Sequence, residues 1–147
     1  ATTATASSWG ARRLMSSHTR TTPWVSVDEL RRVLGESKAH SKERVVLVDT
    51  RGAEAYYKGH LDGAVRIEEC FTHLATSDPA GLASLEATFR DLFGRRAGIT
   101  GAANERVVIY EEGLTSGFAQ SCRGYFLLKW LGHPNVSHPP PQERTLR

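Results

Sequence analysis

A chain of 147 residues, 39% hydrophobic and 24% charged, is long enough for one domain with its own core and short for two. Nineteen Lys and Arg against sixteen Asp and Glu leave a formal charge of +3, and no apolar run approaches the ~18 residues of a membrane span. Two cysteines, Cys70 and Cys122, exclude a disulfide-dense secreted scaffold and a four-cysteine zinc module, and they fit a reducing compartment.

Residues 1–22 contain Arg12, Arg13, Arg20 and His18 but no acid, in a background of Ala, Ser and Thr. That is the composition of an organelle-targeting segment, and it predicts a mitochondrial chain on the matrix side. A polar tail of no particular meaning has the same composition. Beyond residue 22 the charges balance at sixteen and sixteen.

Residues 23–136 alternate between two patterns. Ser26 and Glu29 form a capping box for VDELRRVL, with Val27, Leu30 and Leu34 on one helical face. RVVLVDT (44–50), GAVRI (63–67) and ERVVIY (105–110) are short continuous apolar runs, the pattern of parallel strands covered on both faces. Leu82, Leu85, Phe89 and Leu92 predict a helix that ends before Gly94. The longest helix is expected from near Ser116 to Gly132, with Pro134 just beyond. Strand and helix in alternation give an α/β fold, a parallel sheet with helices on both faces. Sites in such sheets lie past the carboxyl ends of the strands, here after Val48, Ile67 and Tyr110.

The first of those loops, DTRGAEAYYKGHLDGAV (49–65), gathers Asp49, Arg51, Glu54, Gly59, His60 and Gly63. Asp49 and Arg51 can pair and pin the loop, and His60 with Gly63 can hold a turn. No second residue at ligand spacing supports His60 as a metal ligand, and Cys70 with His73 is too little for zinc. A Gly-rich dinucleotide fingerprint and a phosphate-binding loop with Lys are both absent from the sequence, so no cofactor or metal is expected.

VVLVDTRGAEAYYKGHLDGAVRI resembles the early signature of the rhodanese (sulfurtransferase) domain: a strand ending in Asp-x-Arg, then Glu and an aromatic residue, then Gly-His-x-x-Gly-Ala. TPWVSVDELRRVL is similar to that family's opening strand and helix, FRDLFGRRAGI to the helix before a Gly-Ile turn, and VVIY to the strand leading into its active-site loop. AGIT, VVIYEEG and CRGYFLLKWLGH are similar to the first, non-catalytic half of two-domain thiosulfate or mercaptopyruvate sulfurtransferases. The resemblance implies a rhodanese-like sheet over about residues 23–136.

It also implies a cysteine just after VVIY, where its thiolate would take up sulfur as a persulfide in a cradle of backbone amides. Glu111 stands there instead. A carboxylate cannot carry a persulfide, and Glu111 and Glu112 bring negative charge to a cradle suited to anions. Like charges ~4 Å apart repel by a few kcal/mol at a dielectric of about 20. The loop EEGLTSGFAQS, with Gly113, Ser116 and Gly117, has no Lys or Arg to offset them. The Cys and Arg of the phosphatases of this fold are missing as well.

Cys122 is the alternative nucleophile. Its four-residue spacing to Phe118 and Phe126 predicts a small buried hydrophobe, and Arg123 would lower its pKa only if both faced solvent. Cys70 follows a strand, but Glu68 and Glu69 beside it should raise its pKa.

Residues 137–147 run into Pro139, Pro140 and Pro141, which form neither a central strand nor a helix. The resemblance there implies a sheet truncated at its C-terminus, with an edge and an apolar face for another protein to cover. The leading expectation is a catalytically inactive accessory subunit of a larger mitochondrial assembly: a respiratory-chain complex, ATP synthase or the mitochondrial ribosome. Its tails and truncated face would make the contacts, with RNA a partner only in the ribosome. The alternatives are a thiosulfate or mercaptopyruvate sulfurtransferase and a regulatory domain binding a neutral or cationic ligand near Glu111.

Overall fold

A computed structural model describes residues 23–39, 43–112 and 119–139. The targeting-like segment, Gly113, Ser116, Gly117, Phe118 and the tail from residue 140 lie outside them.

The elements in chain order are α1 (Val27–Ala39), β1 (Arg44–Asp49), α2 (Ala53–Lys58), β2 (Val65–Arg66), α3 (Glu69–Thr72) and α4 (Pro79–Asp91). A π-helical turn (Leu92–Arg96), β3 (Glu105–Tyr110), α5 (Ala119–Trp130) and β4 (Val136–Ser137) complete the chain. The four strands form one sheet in the order β2-β1-β3-β4, every pair parallel.

The β1–β3 ladder is its spine, running from Arg44 opposite Glu105 to Asp49 opposite Tyr110. Side chains alternate across it, as strand geometry requires. Val46, Val48, Val107 and Ile109 enter a core with Phe89, Phe93, Leu127 and Leu128, whereas Leu47, Val108 and Tyr110 enter a second core with Val25 and Leu30. Both faces are therefore covered, by α3, α4 and α5 on one side and by α1 on the other.

Local signals set the helix ends. The Ser26 hydroxyl accepts from the Glu29 amide at 3.1 Å, but the Glu29 carboxylate turns away to Arg106 at 3.0 Å, so only half of the expected capping box forms. Asp78 caps α4 by accepting from the amides of Ala80 and Gly81, with Pro79 in the first turn.

Several expectations need correction. The 63–67 strand shrinks to Val65–Arg66, because Leu61–Ala64 closes a turn with Gly63 at φ 78°. The helix expected to end before Gly94 continues through it and stops at Gly98, whose φ is 67°. Leu82, in the first turn of α4, points outward, while Phe93 is buried one helical turn after Phe89 in the same core. At 12 residues the described part of α5 is shorter than α1 and α4, each 13; its expected start at Ser116 lies outside the described residues.

Residues 137 and 138, expected in the Pro-rich tail, also join the sheet. Ser137 pairs with Val108 in β4, and His138 bridges to Trp24 in parallel. The expected opening strand is reduced to that one bridge, fixed by the Val25 amide donating to His138 O at 3.0 Å and the His138 amide to Pro23 O at 2.8 Å.

Candidate functional site

The carboxyl ends of β1 and β3 lie side by side, and the residues that follow them line a small open pocket: Arg51, Gly52, Ala55, Glu111, Glu112 and Gln120. Two of the three expected loops thus meet at one place. The third brings Glu68 beside the pocket, outside its lining, with its carboxylate 3.7 Å from where a Cβ on Gly52 would stand.

Asp49 is fully buried and holds Arg51 along three side-chain bonds: Nε to Oδ1 at 3.0 Å and to Oδ2 at 3.1 Å, and Nη2 to Oδ2 at 2.7 Å. The Asp49 Oδ1 also accepts from the Arg51 amide at 2.9 Å, which closes the turn at the end of the strand. Arg51 Nη2 reaches Gly59 O at 2.7 Å and so clips the far end of α2 to the same point. The pairing with Asp49 raises the Arg51 pKa despite partial burial, and Glu112 adds to it. The expected pin is therefore present, and it directs a cation toward the loop after Tyr110.

His60 plays the part of a turn residue. Its ring stacks on Tyr56 at 3.8 Å and its Nδ1 lies 2.9 Å from Tyr56 O. The Tyr56 hydroxyl donates to Ala64 O at 2.7 Å, and the Leu61 amide donates to the Tyr110 hydroxyl at 3.1 Å. Glu54 does not reach the pocket; it pairs with Lys58 one turn along an exposed face. Among the described residues no cluster of His, Cys, Asp or Glu could hold a metal ion, and no helix is long and apolar enough to cross a membrane.

Glu111 turns toward the first turn of α5, where Oε1 accepts from the Ser121 hydroxyl at 2.8 Å. Its Oε2 is buried with no hydrogen-bond partner among the described residues. Burial raises its pKa, opposed by the bonds at Ser121 and Gln120. Glu111 is thus a half-buried acid fixed to α5. Although the loop after Tyr110 has no cation of its own, Arg51 supplies one from across the sheet, already engaged by Asp49.

Neither cysteine is poised as a thiolate. Cys70 is fully buried, and burial pushes its thiol up to about 12, with Glu69 adding to the rise. Desolvation is the main cause, rather than the neighbouring acids as expected. Cys122 is half-buried rather than buried, and Phe126 at four-residue spacing is 62% exposed, so the Cys122–Phe126 face of α5 points outward. Burial and then Glu111 raise the Cys122 pKa. Arg123 is used elsewhere: it donates to the carbonyls of Cys70, Phe71 and His73 at 2.9, 3.2 and 2.7 Å, tying α5 to α3.

Ser121 and Gln120 escaped the sequence reading. A Ser at the third residue of a helix carries no signal of a partner ten positions earlier. Only the pairing of β3 with the α5 N-terminus reveals it.

The family described as Rhodanese-like domain matches residues 26–138. Among solved structures, the chain resembles a human single-domain sulfurtransferase, TSTD1, at 22% identity and a TM-score of 0.51, over 80% of this chain and 88% of that one. An uncharacterised protein from Saccharomyces cerevisiae aligns at 18% identity and a TM-score of 0.51, over 80% and 83%. A probable thiosulfate sulfurtransferase aligns at 35% identity and a TM-score of 0.47, over 72% of this chain and 48% of that one. The chain spans about half the length of that last protein. No curated protein sequence matches it significantly.

Proposed function

The chain belongs to the Rhodanese-like domain family, and within that family we propose that it carries no sulfur and serves as a structural or interaction subunit of a mitochondrial assembly. One observation carries this reading: Glu111, in the place where the family resemblance requires a cysteine, is held by Ser121 with its second oxygen buried. A carboxylate offers no sulfur nucleophile. The raised thiols of Cys70 and Cys122 support the same reading, since the thiolate is the reactive species.

An interaction role draws support from the outward face of α5. Cys122, Phe126 and Trp130 follow at four-residue spacing, and Phe126 and Trp130 are exposed. A mitochondrial destination draws support from the basic, acid-free residues 1–22.

The test is native purification of the tagged chain from mitochondria, followed by sizing, identification of what accompanies it, and a thiosulfate-to-cyanide transfer assay. Stoichiometric recovery in a large assembly with no thiocyanate formed is expected. A free chain that turns over thiosulfate would overturn the proposal and direct attention to Cys122.

A further inference from the structure

At the end of the sheet opposite the pocket, His133 is 1% exposed in the corner between α5 and β4. Its tautomer is fixed from both sides. The Asn135 amide donates to Nδ1 at 3.2 Å, so the ring proton sits on Nε2 and is donated to Glu105 Oε1 at 3.0 Å. Glu105, itself fully buried, is already supplied with donors: the Thr100 amide at 2.9 Å, the Thr100 hydroxyl at 3.2 Å, the Gly101 amide at 3.0 Å and the Arg44 guanidinium.

We infer that this corner is an acid-sensitive latch: protonation of His133 at Nδ1 turns the Asn135 amide from partner to opponent and releases β4, with the Trp24–His138 pairing behind it, while the β1–β3 ladder holds.

The charges around the ring favour release. Glu105 on β3 would attract an imidazolium, but Arg44 on β1 already balances that carboxylate. Lys129 on α5 sits close, donating to His133 O at 3.4 Å and Pro134 O at 3.0 Å, and would repel it. Glu43 is taken up by the Asn135 side-chain amide at 3.3 Å. Burial depresses the His133 pKa below the ordinary histidine value against the pull of Glu105, with Lys129 adding to the depression.

Val136 in the core and Arg106 donating to the Ser137 hydroxyl at 3.4 Å help to hold the edge, but its backbone pairing is short. β4 pairs only Val136 and Ser137 with β3, and the corner delivers Asn135 O to the Val107 amide at 3.0 Å. Among the described residues, the backbone bonds from residues 23–25 to the sheet run through His138, while the Val25 side chain packs in the core with Leu47 and Val108. His138 is a second buried histidine, between the rings of Trp24 and Tyr125, and burial depresses its pKa too. Groups whose pKa is lowered in the closed form bind protons on opening, so closure weakens as pH falls below the ordinary histidine value. An open-state pKa of about 6.5 lets the opening constant grow by up to roughly tenfold between about pH 7.5 and about pH 5.5 for each histidine released.

Amide hydrogen exchange on the full chain, expressed as protection factors at those two pH values, tests it together with an imidazole nitrogen titration of His133. Expected are a neutral Nε2–H tautomer and a loss of protection at Val25, Val107 and His138 at the lower pH, up to about tenfold per histidine released, with Leu47 and Val48 unchanged. In His133→Gln, which keeps the bond to Glu105 without titrating, the loss should shrink by up to about tenfold, leaving the share of His138. Uniform loss across the sheet, an undiminished response in His133→Gln, or titration of His133 with no change at Val25 and His138 would each overturn the latch. If that variant fails to fold, the wild-type titration decides alone.

Discussion

The Ser121 hydroxyl donates to Glu111 Oε1 at 2.8 Å, joining the residue after β3 to the first turn of α5, while Glu111 Oε2 lies buried without a partner among the described residues. An acid held this way resists ionising, because burial raises its pKa more than the bonds at Ser121 and Gln120 lower it. The folded protein then binds a proton at Glu111 more readily than the unfolded chain, so this group costs stability above its raised pKa and the cost vanishes on acidification. Glu111→Gln should therefore raise the melting temperature at about pH 7.5 and leave it unchanged near pH 4, measured by calorimetry. A lower melting temperature at neutral pH would show that the carboxylate is a stabilising ion.

Removing Arg51 should be far more damaging. Asp49 is wholly buried and its oxygens face the guanidinium, so Arg51→Ala strands a carboxylate and takes the donor from Gly59 O. Breaking one side of a buried ion pair typically costs about 3–5 kcal/mol. Urea unfolding should show a loss of that order. A loss under about 1 kcal/mol would mean that solvent replaces Arg51 freely.

Gly124 sets how closely α5 approaches the sheet. A Cβ there would stand 2.2 Å from Ile109 Cδ1 and 3.1 Å from Cys70 Sγ, both in the core. Overpacking costs about 1–3 kcal/mol, against roughly 1 kcal/mol of gained helix propensity, so Gly124→Ala should destabilise modestly. Ile109→Val removes the clashing Cδ1, and the double variant should be more stable than additivity of the two single changes allows. Strict additivity in denaturation would place the contact elsewhere.

Much of the fold was legible because its signals are local. The β1 and β3 runs announced strands buried on both faces, and the structure divides their side chains between two cores by simple alternation. The Asp49–Arg51 clip was readable because two residues at the end of a strand have few other partners in reach. What stayed hidden depends on long-range placement. Glu105 reads as an ordinary polar start to a strand, yet it is the buried centre of a network with His133, 28 residues further on. Arg123 reads as a cation beside Cys122, yet the helical turn carries it to the carbonyls of α3. Cys122 itself was expected inside, and the nearly featureless apolar distribution around α5 gave no sign of which face would meet the sheet.

The central claim is that no sulfur is carried after β3, and the most direct measurement is intact mass of the chain after incubation with thiosulfate, read alongside thiocyanate formed on adding cyanide. Active chemistry would move the outer sulfur of thiosulfate to a thiolate, release sulfite, and pass that sulfur on to cyanide. The predicted result is an unchanged mass, Cys70 and Cys122 both still thiols, and no thiocyanate above the protein-free rate. One added sulfur on Cys122, with thiocyanate production that disappears in Cys122→Ser, would contradict it.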